Sequence, residues 1–184
     1  MAFFNRHRAV DYALKWALGR NREFPDFSTQ GQGGDCTNFI SQVLLAGGWT
    51  EVEGLKIDPL AWWYEDDRAS HTWASAEKFA WFLRLSGRAM ECGRDEIALA
   101  DVVQIRNPDG FMHHTMVVTG IVPRRGEYHE AVDEIYVSYH SKDKKNNLLN
   151  AIEMSDAYKQ HKFVYWKVLD MFRDPSDRNV FPDF

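Results

Sequence analysis

A chain of 184 residues, 45% hydrophobic and 27% charged, is long enough for one domain with a sizeable core and too short for two ordinary ones. A net charge of −5 without a Lys/Arg cluster argues against a phosphate-backbone partner, so no nucleic acid is expected. The two cysteines, Cys36 and Cys92, stand in unlike contexts; they exclude a disulfide framework, and no CxxC or HExxH spacing suggests zinc.

The N-terminus, MAFFNRHRAVDYALKWALGR, is interrupted by Asn5, Arg6, His7, Arg8, Asp11 and Lys15, so it lacks the apolar core of a signal peptide. The expectation is synthesis in the cytoplasm, with no membrane span, because no run of about 18 apolar residues occurs. A first helix is predicted from Asn5 to Gly19, with Ala9, Val10, Ala13, Leu14, Trp16 and Leu18 as its apolar face. After a loop through Pro25 and GQGGD, a second helix runs from Cys36 to Ala46 on Phe39, Ile40, Val43 and Leu44, and Gly47-Gly48 stop it. A third spans Ser75 to Leu85.

The period then changes. DVVQI (101–105), HTMVVTGIV (114–122), EIYVSYH (134–140) and FVYWKVL (163–169) read as strands, with NPDG at 107–110 as the turn between the first two. Helices followed by consecutive strands predict an α+β fold, N-terminal helices packed on an antiparallel sheet, in a single domain over 1–184.

Chemistry is most readily placed at Cys36. Asp35 is a natural N-cap, its carboxylate accepting first-turn N–H groups, which makes Cys36 the first helical residue. There the helix dipole and free N–H groups favour a thiolate, and the same N–H groups can steady an oxyanion. Gly33 and Gly34 allow a tight turn and close substrate approach. The bland alternative is a small buried apolar residue at a helix start.

A cysteine nucleophile needs a base, commonly a His oriented by a third polar group. His7, His129 and His161 sit among charged residues and read as solvated surface, and His71 as a loop or capping residue. His113 and His114 open a strand, where successive side chains alternate faces. His114 aligns with Met116, Val118 and Gly120, the more apolar set, and is expected to face the Cys36 helix, with His113 the alternative. His140 ends the next strand and could hold its ring. A metal-dependent hydrolase built on Cys36, His113, His114 and His140 is disfavoured, since adjacent strand histidines diverge. The WWY run at 62–64 with Trp73 reads as a groove wall or, at least equally, a core cluster, and EDD (65–67) and KDKK (142–145) as solvated surface.

GGDCTNFISQ, with the upstream RAVDYALKWAL, resembles the bacterial "putative amidase" domain family, a branch of the papain-like amidases and peptidases related to NlpC/P60 and CHAP. ADVVQIRNPDGFMHHTMVVTG and EIYVSYHS resemble the family's later strand segments. The resemblance implies a papain-like fold and a triad of Cys36 as nucleophile, His114 as base and His140 as orienting residue, with Asp143 or Asn147 able to take the third place. Asp35 matches the acidic residue before the family's Cys. The implied substrate is the peptide part of bacterial cell wall, with no metal and no cofactor. Deamidation, transamidation and a non-catalytic binding module are the alternatives. Acting on cell wall without a leader implies another export route, for instance as an effector delivered into rival cells and countered by an immunity protein.

Overall fold

A computed structural model of the chain describes residues 1–29, 34–123 and 133–172. In chain order it contains β1 (Ala2–Phe3), α1 (Arg6–Trp16), α2 (Cys36–Gly47), β2 (Tyr64–Glu65), β3 (Arg68–Ala69), α3 (His71–Ala74), α4 (Ala76–Leu85) and β4 (Ala89–Cys92). There follow β5 (Val102–Arg106), β6 (Met112–Val122), β7 (Glu134–Tyr139), β8 (Lys144–Leu148), α5 (Leu149–Glu153), β9 (Lys162–Val168) and β10 (Met171–Phe172). The main sheet has six strands in the order β4-β9-β5-β6-β7-β8, and the pairs are antiparallel. The fold is therefore α+β, with the helices of the first half laid against an antiparallel sheet.

The predicted helices and strands fall where the periodicity puts them, within a few residues. Among the described residues the two-residue strands β1, β2, β3 and β10, the short helices α3 and α5, and the strands β4 and β8 are additional. β8 is KKNNL, too polar to read as a strand; it is an edge, where lysines discourage unwanted pairing.

The sheet is buried on both faces. Against α1, α2 and α4 lie Val102, Val117, Val164, Trp166 and Val168; on the other face Val103, Ile105, Met116, Val118, Ile135 and Val137 pack with Leu149 and Ile152 of α5. α2 runs through the centre of the first core, with Phe39, Ile40, Val43 and Leu44 wholly buried, each contributing about 1.5–3 kcal/mol. Its polar residues are buried too, and each is bonded. Asn38 donates to the Pro25 carbonyl, Ser41 to the Trp73 carbonyl, and Gln42 accepts from the Tyr12 hydroxyl. At the far end of the sheet, Arg6 of α1 reaches the buried Asp101 at 2.7 Å, and that carboxylate also accepts the N–H groups of Ala98 and Val168. No helix among the described residues is long and apolar enough to cross a membrane.

Candidate functional site

Cys36 is the first residue of α2 and Asp35 stands at its N-cap position, as expected, but the Asp35 side chain makes no capping hydrogen bond. Its carboxylate turns away from the first turn. Oδ1 accepts from the Phe27 N–H and from Asn38 Nδ2, while Oδ2 faces His140 Nδ1 at 2.6 Å and Arg20 Nε at 3.1 Å. Three hydrogen bonds and the Arg20 ion pair converge on one wholly buried carboxylate, which leaves the first-turn N–H groups of α2 free of any capping side chain. Asp35 thereby joins the end of α1, the start of α2 and the end of β7.

His140 is held tightly. Its ring stacks on Phe39 with centroids 3.9 Å apart. Nε2 lies 3.0 Å from the Trp16 carbonyl, which can only accept, so that nitrogen donates, and Nδ1 lies on Asp35. Both nitrogens are engaged, and neither is left to orient His114. The proposed substitutes are engaged as well: Asp143 takes Arg20 in a two-point pair at 2.8 and 3.1 Å, and Asn147 donates to the Tyr139 hydroxyl.

Two residues that pattern-reading missed complete this corner. Arg20 ties Asp35 to Asp143, and Ser141 accepts the Asp35 N–H at 2.9 Å. Gly34 passes beside that hydroxyl at φ +110°, where a Cβ would stand 2.7 Å from Ser141 Oγ, so only glycine fits. Arg20 follows a helix end and Ser141 a strand end, positions whose long-range partners no local pattern announces.

The thiol differs from the expectation of an open thiolate. Cys36 is 5% exposed, and burial pushes its thiol up, against the opposing hydrogen bonds of the Thr115 backbone and of Thr37. Sγ lies 3.8 Å from Thr37 Oγ1, which lies 3.0 Å from Thr115 Oγ1. Gln104 Nε2 continues the chain to Thr115 Oγ1, and Trp166 Nε1 donates to Gln104 Oε1.

His114 lies on the other face. It pairs with Ile105 across the β5–β6 ladder and sets its ring edge-on to Tyr139, centroids 4.9 Å apart, beside Met116 and Val118. Its alignment with those two is as expected; the face they share is the one against α5, not the one against α2. A bulge between Ile105 and Arg106 also brings Arg106 opposite Met112, and the His113 ring sits near Tyr158 on the α5 side. No hydrogen bond joins Cys36 to His114 or His140 among the described residues. What does touch the sulfur is the backbone of Thr115, the next residue after His114. Burial and the neighbouring His113 push the His114 imidazole down to about 4, so the ring is neutral near pH 7.

Trp62 and Trp73 are core, packed with each other at 4.7 Å, whereas Trp63 and Tyr64 line an open groove with Glu51, Glu53, Glu65 and Arg68. No group of three or more His, Cys, Asp or Glu able to hold a metal occurs among the described residues. Gly33 and His129 lie outside them.

The profile of the putative amidase domain family matches residues 3–166, which span the Cys36 helix, the histidine doublet and His140. The chain belongs to that family. Among curated proteins, this family member is 30% identical over 155 residues to "Uncharacterized protein YjcM" of Bacillus subtilis, covering 78% of this chain and 32% of the relative. It is 32% identical over 120 residues to "Uncharacterized protein YhbB" of the same organism, covering 62% and 37%. The chain thus spans about a third of the length of these curated relatives. No solved structure matches it.

Proposed function

We propose that this amidase-family chain is a papain-like cysteine hydrolase that cleaves amide bonds in the peptide part of bacterial cell wall, with Cys36 as nucleophile and His114 as base. One observation carries the reading: Cys36 opens an uncapped, buried helix with its sulfur against the Thr115 backbone, one residue from a neutral imidazole. The resting state is a neutral thiol on one face of β6 and a neutral imidazole on the other. His114 takes the thiol proton as sulfur attacks the carbonyl, the uncapped first-turn N–H groups receive the oxyanion, and His114 returns the proton to the leaving amine. Water then releases the acyl group. At rest His114 lies on the face of β6 opposite the thiol, so its role as base requires the segment 113–115 to turn the ring toward α2 when substrate binds. His140 acts with Asp35 and Arg20 as a positioning unit for the start of α2.

The cell-wall substrate rests on the likeness to NlpC/P60 and CHAP enzymes. It entails action outside the cytoplasm, whether as a delivered effector with an immunity protein or as part of a longer secreted protein. Toxicity on periplasmic but not cytoplasmic expression fits; the reverse pattern contradicts it.

A second reading is a binding module that keeps the fold without the chemistry, and the 5% exposure of Cys36 favours it. Digestion of purified cell wall, read by mass spectrometry, decides between the two. Cys36→Ala abolishes fragment release, by a factor of about a thousand or more, with the circular dichroism spectrum unchanged. Undiminished release by that variant overturns the hydrolase reading. Under the binding-module reading a thiol probe labels Cys36 no faster than Cys92.

A further inference from the structure

The turn before β9 brings a second imidazole against the histidine doublet. The rings of His113 and His161 stand 5.1 Å apart, centre to centre, inclined at 52°. Two imidazoles on one tetrahedral ion, with metal–nitrogen bonds of about 2.0–2.1 Å, have ring centres about 5 Å apart. His161 Nδ1 is buried and has no hydrogen-bond partner, an orphaned ring nitrogen of the kind a ligand commonly satisfies. Tyr158 walls the pair, edge-on to His161 at 5.3 Å and tilted against His113 at 6.4 Å.

We propose that His113 and His161 form a two-imidazole site for a borderline divalent transition metal such as Zn2+. Neutral imidazole suits Zn2+, Cu2+ and Ni2+, whereas Mg2+ and Ca2+ seek oxygen donors. Two protein ligands leave the remaining positions to water. The binding does not depend on the hydrolase reading.

Calorimetric titration of the full chain with zinc chloride tests the site, using wild type, His113→Gln, His161→Gln and, as a remote control, His71→Gln, each checked for folding by circular dichroism. Wild type saturates below about a millimolar zinc. Either of the first two variants binds at least about tenfold more weakly, and His71→Gln binds as wild type. Magnesium chloride gives no saturable heat. Undiminished zinc affinity in both His113→Gln and His161→Gln, as a site on Cys36 or Cys92 would give, overturns the proposal; so does magnesium binding as tight as zinc. A chain that binds zinc in this pattern yet cleaves no wall refutes the hydrolase reading and leaves the site standing.

Discussion

The two faces of β6 are built on different principles. Toward α2 the strand presents Thr115, Val117 and Thr119, and the hydroxyls are satisfied there: Thr115 by Thr37 and Gln104, Thr119 by Ser138 and Asn146. Toward α5 it presents Met116 and Val118, with His114 among the apolar side chains and Tyr139. The polar face is the one that meets Cys36. A wholly buried hydroxyl is tolerated when its partners are in place, so hydrophobicity alone does not tell which face of a doubly covered strand meets a given helix.

The sharpest way to break this comparison is at His114. His114→Gln lowers turnover by a factor of about 10²–10⁴ if the ring serves the nucleophile across the strand, and leaves it unchanged if the two faces are independent. The same ring gives a stability signature. The unfolded chain protonates it below its ordinary 6.5, while the folded chain resists until about 4, so wild-type stability is fully present above 6.5 and falls as pH drops through that window, by about 3 kcal/mol. Urea midpoints at several pH values should show that fall in wild type and a shallower one in His114→Gln.

Met116→Ala, on the apolar face, should cost about 2–5 kcal/mol in urea unfolding while turnover per folded molecule holds. Thr115→Val, on the polar face, should cost less stability, about 1–3 kcal/mol, because Thr37 and Gln104 each lose a partner. It should also shift the rate of thiol labelling at Cys36, which Met116→Ala does not. Equal labelling in the two variants would erase the distinction between the faces.

Much of the architecture was legible because it is local. Apolar residues at helical spacing place α1, α2 and α4, and β-branched runs place β5, β6, β7 and β9. Cys36 at a helix start follows from Asp35 and the glycines before it. Other features depend on distant partners. Asp35 looks like a cap in isolation, yet inside the core its carboxylate takes a hydrogen bond with His140 and the charge of Arg20, and these outcompete the first-turn N–H groups.

The alternation of β6 was equally plain, but periodicity yields two sets of side chains without saying which set meets α2. The bulge beside His113 shifts that alternation through a pairing register that only the assembled sheet defines. The amino-acid order by itself therefore determined the α+β class, the main elements and the residue that opens the central helix. Tertiary structure alone decided where Asp35, His114 and His140 spend their polar atoms, because buried hydrogen bonds go to whichever partner the packed chain brings within about 3 Å.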